Sequence, residues 1–322
     1  MRPEKVERLR ASLDRLRHRY DARYLSPDPL EFPRRFERPD DQEVVGLLAA
    51  SLAYGNVATI RQSVQRVLSV VGETPASFVR DFDPQHGRVL SSRFRHRFND
   101  GRDLAALFAF MRQMLEGWGS IGEFFRAGYD ESAPDVQSSL ASFSERALAL
   151  DHGGLYGSRR LPRSAGVRFF FASPRTGGAC KRLNMYLRWM VRPDDGLDLG
   201  LWTFASPSQL VVPLDTHVAR IGRHLGWTRR KSSDWKTAED VTRVLALACP
   251  EDPTRYDFAI SRMGILERCP RHRGAFECDL CDLKRVLAAQ ETAGYLARAS
   301  ATLTAARAGA HRKHKAPRPR RS

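Results

Sequence analysis

The chain is poor in cysteine, has no long apolar run and shows little of the alternation that marks strands. It counts five cysteines in 322 residues. An odd number, in a chain without a secretory pattern, argues against a disulfide framework. No apolar stretch approaches the roughly 20 residues needed to cross a bilayer. Met1-Arg2-Pro3-Glu4-Lys5 runs into charged amphipathic sequence, not into the apolar core of a signal segment. The expectation is a soluble, cytoplasmic protein with no membrane partner. With period-two patterns scarce and helix formers abundant, the expected fold class is all-α. The length allows one large domain or two lobes with a substantial core.

Acid is missing from the C-terminal tail. Arg307, Arg312, Lys313, Lys315, Arg318, Arg320 and Arg321 occur there without one Asp or Glu, and the tail is expected to be disordered. These seven supply part of the formal net charge of +16, so +9 remains on residues 1–306. A basic body of that kind suits a polyanion such as DNA or RNA. It also suits a proteome whose surfaces are simply rich in arginine.

What is present is helical periodicity. Val6, Leu9, Leu13 and Leu16 form one stripe of a charged helix over 2–20. Four prolines make 25–40 a connector. A helix from Asp40 to Leu52 places its acids in the first turn. It meets a second helix, Thr59 to Val71, across Tyr54-Gly55-Asn56. That turn is either the corner of a helical hairpin or a substrate-side loop. Residues from Pro75 to Gly87 are expected as loop. Arg93-Phe94-Arg95-His96-Arg97-Phe98 interleaves arginine with aromatics, as a phosphate-binding segment with aromatic support would. An element edge with buried Phe and solvated Arg gives the same pattern. Helices are expected over 103–116 and 136–150, from near Gly178, from Asp215, from Asp234, through 256–265 and over about 282–306.

Two stretches carry chemistry. In Ser173-Pro174-Arg175-Thr176-Gly177-Gly178-Ala179-Cys180-Lys181-Arg182, glycines just before a helix can expose N–H groups to a phosphate. Lys181 would lie in the first turn, where the dipole disfavours a cation, which suits a nucleophilic amine. A lysine snorkelling over the surface is the plainer alternative. In Pro213-Leu214-Asp215-Thr216-His217-Val218-Ala219-Arg220-Ile221, Asp215 opens an amphipathic helix that Gly226 can close. An acid there is favoured as the anion by the helix dipole. It is either an ordinary cap or a placed catalytic carboxylate. Cys269, Cys278 and Cys281 cluster later as Cys-x8-Cys-x2-Cys.

Taken together, the glycine turn with Lys181, the Asp-Thr-His-Val stretch and the late cysteines resemble the helix-hairpin-helix DNA glycosylase superfamily, the endonuclease III-like enzymes. The Ala-Cys-Lys-Arg-Leu-Asn-Met stretch at 179–185 also resembles a bacterial family of unknown function. The superfamily resemblance implies a two-lobed helical fold. Residues 1–39 would be an N-terminal helix and connector, 40–170 one lobe, 171–306 the hairpin lobe with the cysteine cluster, and 307–322 the tail. It implies a monomer that removes a damaged base from double-stranded DNA, with Lys181 and Asp215 catalytic. Tyr54, Asn56, Arg175, Gly177, Gly178 and Arg182 would contact nucleic acid. It further implies an iron–sulfur cluster, or zinc, on Cys269, Cys278 and Cys281. The sequence departs from the pattern: the Leu-Pro-Gly-Val-Gly hairpin is absent, a connector is inserted at about 193–211, and no fourth cysteine follows Cys281. Cys249, Cys180 or His272 would have to complete a metal site. The alternative function is a non-catalytic nucleic-acid-binding protein on the same fold.

Overall fold

A computed structural model of the chain describes residues 3–84 and 94–266. Cys269, Cys278, Cys281, His272, the helix expected at 282–306 and the basic tail lie outside the described residues. Within them the protein is mostly helical, with one two-stranded ribbon.

Helix α1, Pro3–Arg19, buries Leu9, Leu13 and Leu16 on its single apolar stripe. The proline-rich connector folds into short 3-10 turns, Pro29–Glu31 and Pro33–Arg35, each with proline in the first turn, where its missing N–H costs nothing. Helix α2, Pro39–Leu52, is buried on nearly every side from Glu43 to Leu52 and forms the axis of the molecule. Its acids do more than complement its own dipole. Asp41 accepts the Ala76 N–H at 2.7 Å. That amide begins helix α4, Pro75–Arg80, in a segment expected as loop. Glu43 is buried and accepts the Ile121 N–H at 2.8 Å and the Trp202 indole N–H at 2.7 Å. Ile121 opens helix α6, Ile121–Arg126. Two six-residue helices therefore take an N-terminal partner from α2, and only α6 adds a side-chain cap of its own, Ser120.

Between these lie helix α3, Val57–Val71, and helix α5, Gly101–Trp118, the latter started by a reciprocal capping box of Asp100 and Asp103. Helix α7, Gln137–Ala149, follows. The ribbon pairs β1, Arg95–His96, with β2, Asn99–Asp100, in antiparallel register.

Helix α8, Lys181–Val191, packs along α2. Gly46 permits that approach, since a Cβ there would lie 2.6 Å from Met190 Cε. The connector inserted after α8 folds straight back onto it. The Leu199 N–H donates to Trp189 O at 2.7 Å and the Trp202 N–H to Met190 O at 2.8 Å, which satisfies carbonyls a helix end leaves open. Three further helices close the chain: α9, Thr216–His224; α10, Trp235–Ala248; and α11, Asp257–Leu266. Helix α1 packs against α10 and α11, so the two ends of the described chain share one body.

The α9–α11 contact is close because of Gly264. A Cβ at that position would stand 2.7 Å from His217 Cβ and 3.1 Å from Ile221 Cδ1. His217 Cβ belongs to the helix frame and cannot swing aside. Gly264→Ala is expected to lower stability by about 1–3 kcal/mol, as overpacking does. Urea denaturation would show it as a shifted midpoint with an unchanged slope.

Candidate functional site

Asp215 is the N-cap of α9. Its Oδ1 accepts the Val218 N–H at 2.7 Å, and its Oδ2 accepts the Ser261 hydroxyl at 2.8 Å. The carboxylate is thus held by its own helix and by α11, while the residue stays partly open to solvent. His217 sits beneath, its Nδ1 2.9 Å from Gly264 O.

Asp257 lies one turn before Ser261 on α11, on the same face. It is buried and takes a 2.6 Å ion pair from Arg188 of α8. Its other oxygen, Oδ1, has no hydrogen-bond partner. Burial pushes the Asp257 carboxyl up to about 7, and the charges of Asp215 and Asp198 push the same way against Arg188. Arg188 also binds Asp198 at 3.1 Å. Arg192, one turn on, pairs with Asp198, with Asp195 at 3.1 Å and with Asp252 at 2.9 Å. The connector expected as an insertion at about 193–211 is bolted to α8 by this network.

Lys181 is the first residue of α8 and partly exposed. No hydrogen bond or ion pair from the described residues engages its ammonium group, Asp215 included. It shares a helix face with Arg188, seven residues on and about 10 Å along the axis. The start of α8 departs from the expected glycine-led helix. Gly178 forms a β-bridge with Asp234, and Gly177 O accepts the Trp235 N–H at 3.0 Å. Cys180 then adopts a left-handed conformation, φ 46°, so the helix begins three residues beyond Gly178. That conformation costs a non-glycine residue about 1–2 kcal/mol. Burial pushes the Cys180 thiol up to about 12, and its S–H faces Ala172 O at 3.2 Å.

A third group assembles around Tyr54. Its ring lies edge-on to His96 at 4.6 Å and to Phe169 at 4.8 Å, and beside Phe98 at 5.3 Å. Asn99 Nδ2 donates to Asp103 Oδ2 at 2.8 Å, which turns its Oδ1 toward the Tyr54 hydroxyl at 2.5 Å. Burial raises the Tyr54 hydroxyl to about 12. The hydroxyl therefore stays protonated and donates. Phe94 is buried as the alternation anticipates, but Phe98 is 55 % and Phe169 36 % exposed.

His96 is buried, with Nε2 3.1 Å from Tyr54 O and Nδ1 2.9 Å from Ser63 Oγ. The carbonyl can only accept, so Nε2 carries the proton and Nδ1 accepts from Ser63. Burial lowers the His96 pKa, and Arg97 and Arg182 add to the effect. A histidine held neutral in the fold costs stability once the unfolded chain can protonate. Stability is therefore expected to fall as pH drops below about 6.5. Melting temperatures measured from pH 8 to 5 should decline less steeply in His96→Gln.

Of the residues expected to contact nucleic acid, Arg182 is placed differently. It is 9 % exposed, and its guanidinium donates to Ser51 O at 3.0 Å and to Phe169 O. It lies 3.5 Å over the Phe169 ring and 5.2 Å from the Tyr54 ring. It supports the aromatic group from inside and is not presented to a phosphate. Asn56 is exposed, but its side chain caps α3 through the Ala58 N–H at 2.8 Å. Arg175 is exposed and pairs with Glu145 at 3.0 Å. Arg97 and Phe98 belong to the Arg/aromatic stretch that the sequence marks as a phosphate-binding candidate, whereas nothing in the sequence gives Phe169 a role; the structure brings the three together. Among the described residues no group of three or more His, Cys, Asp or Glu is arranged to hold a metal. Cys180 and Cys249 are buried free thiols. Cys249 Sγ accepts from Arg255 at 3.4 Å.

The arrangement is that of a helical protein with a fixed carboxylate, an unpaired lysine and an arginine-backed aromatic surface. The chain belongs to the family described as protein of unknown function (DUF2400), which matches residues 28–266 and so spans Tyr54, Lys181 and Asp215. The cysteine cluster falls outside the match. No curated protein and no solved structure matches the chain. No helix among the described residues is long and apolar enough to cross a membrane.

Proposed function

We propose that this protein is a DNA base-excision enzyme of the helix-hairpin-helix kind, a glycosylase with abasic-site lyase chemistry. The observation that carries the reading is the mechanical link between its two reactive groups. Asp215 is held by Ser261, Ser261 shares a helix face with Asp257, Asp257 pairs with Arg188, and Arg188 shares a helix face with Lys181. A carboxylate and an amine on elements locked in this way keep a constant relation to a substrate between them.

The chemistry follows from those groups. Cleaving an N-glycosidic bond builds positive charge on the sugar. Asp215, oriented by two donors and partly open to solvent, stabilises that charge. The Lys181 amine attacks C1′ as the base departs with the bonding electron pair and takes up a proton; the new C–N nitrogen loses a proton, and its lone pair then breaks the C1′–O4′ bond, O4′ taking a proton as the sugar ring opens to a Schiff base. β-Elimination of the 3′ phosphate then cuts the strand. A target base must leave the stack first, and the basic body attracts the duplex. No step passes through a metal.

The test is incubation with duplexes carrying oxidised, deaminated, alkylated or abasic sites, followed by borohydride trapping. A covalent adduct in wild type that is lost in Lys181→Ala is the expected result. An adduct persisting in Lys181→Ala removes the nucleophile assignment. A second reading, a nucleic-acid clamp without chemistry, is favoured by the exposed Phe98 and Phe169, which need neither Lys181 nor Asp215 to bind. It expects salt-sensitive binding, no product from any lesion, and no effect of Asp215→Asn.

A further inference from the structure

Phe98 and Phe169 lie side by side at the surface, ring centroids 4.7 Å apart at 75°. Both rings leave part of their apolar surface in water, surface whose burial would otherwise stabilise the fold. The backbone beneath them is built with care. Arg97, at the turn between β1 and β2, has φ 55°, a strained setting for a residue with a side chain. Its side chain runs close over Gly55, where an added Cβ would stand 2.9 Å from Arg97 Cδ. Gly55 itself has φ 100°. The Tyr54 hydroxyl and the His96 ring tie the ribbon to the α2–α3 turn, and Arg182 pins Phe169 through its carbonyl. The rings are thus presented on a stiff base, not on a loose loop.

The surround is cationic. Arg95 and Arg97 are exposed, and no carboxylate among the described residues pairs with either. Asp100, the nearest acid in sequence, is taken by Arg102 at 2.8 Å. Asp103 is buried and receives Asn99 and the Tyr156 hydroxyl. Flat apolar rings bordered by free guanidinium groups match a ligand with a flat apolar face and an adjacent anion. A nucleotide has both, but a base pair inside a duplex hides its faces against its neighbours. Only an unpaired base offers one.

We propose that Phe98 and Phe169, with Arg97 beside them, form a platform on which an unpaired nucleobase of DNA stacks while Arg97 takes its phosphate. This rests on the nucleic-acid reading above and adds to it a preference for single-stranded, bulged or gapped sites over continuous duplex.

The experiment compares three oligonucleotides carrying 2-aminopurine: single-stranded, duplex with the 2-aminopurine bulged out, and fully paired. Anisotropy gives the affinity and 2-aminopurine emission reports stacking. Wild type should bind the first two more tightly than the third and alter their emission. Phe98→Ala should weaken binding to the unpaired forms by about 5- to 100-fold. Binding to the paired duplex should change less than about twofold, on the same grounds. Phe98→Leu keeps apolar bulk but lacks a π face, and it should show the same selective loss if folding of the alanine variant is in question. Equal weakening toward all three forms, or no weakening, overturns the platform while leaving DNA binding in place. Failure of wild type to bind any oligonucleotide overturns the nucleic-acid reading itself. Binding to phosphatidylserine vesicles that is lost in Phe98→Leu, without oligonucleotide binding, assigns the surface to lipid and also overturns the proposal.

Discussion

Arg188→Met is expected to cost about 3–5 kcal/mol of stability at pH 8, the scale seen when one partner of a buried ion pair is removed. Arg188 is buried and serves two buried carboxylates at once, Asp198 and Asp257. Methionine fills much of the same space, so a cavity contributes little. The loss comes from charge left in a dry interior without compensation. Asp198 keeps Arg192, but Asp257 keeps nothing, since its Oδ1 is already without a partner. An orphaned carboxylate escapes by taking a proton. Burial raises Asp257 in the intact protein to about 7, and Arg188 opposes that rise. Removing Arg188 therefore raises it further. Both proteins lose stability as pH rises above the unfolded value near 4, but wild type stops losing it once Asp257 ionises near 7, and the variant, which holds its proton to higher pH, goes on losing it. The deficit relative to wild type should be smallest near pH 5 and largest near pH 8. Urea midpoints for both proteins across that range would measure it. A deficit independent of pH would show that Arg188 contributes packing and not charge.

Asp215→Asn should reduce base removal by about 10²–10³-fold, the usual effect of deleting one preorganised electrostatic stabiliser. DNA affinity should be little changed. The amide preserves shape and can still cap α9 through its oxygen, so the Val218 N–H need not lose its partner. On the proposed reading, what disappears is the negative charge that stabilises the sugar cation. Ser261 makes the comparison sharper. Its hydroxyl donates to Oδ2, the atom that asparagine replaces with NH2 if Oδ1 is retained as the cap. Ser261→Ala keeps the charge and removes only that anchor, so its effect should be smaller than that of Asp215→Asn. Single-turnover rates on a lesion duplex would rank the two. An Asp215→Asn enzyme with wild-type turnover would reduce Asp215 to a helix cap.

The Asp215 cap was legible because it is local. The acid and the amide it binds are three residues apart, and the apolar stripe lies within the same short helix. The helical class was legible for the same reason, since stripes such as Leu9, Leu13 and Leu16 sit within one helix. What brings the site together is not local. Arg188 and Asp257 are 69 residues apart, and a connector that reads as a mere insertion supplies Asp198 between them. Arg182 shows the converse error. The resemblance sets it against nucleic acid, but its position on the face of α8 toward α2 buries it against Ser51 and Phe169. Phe94 and Phe98 occupy equivalent places in the alternation, and only the fold separates them, burying Phe94 and leaving Phe98 exposed.

The two acids of α2 have a bearing on how the protein folds. Helices of six residues such as α4 and α6 are too short to persist on their own in water. Ser120 does cap α6 locally, through the Glu123 N–H. The Ala76 and Ile121 amides, however, find their acceptors only on Asp41 and Glu43. Both short helices must therefore wait for α2, and order spreads outward from that central helix late in the reaction. In the native protein the same dependence couples their opening to that of α2. Local opening of α4 or α6 is then expected to follow that of α2 and not to precede it, which amide hydrogen exchange of the three helices would show.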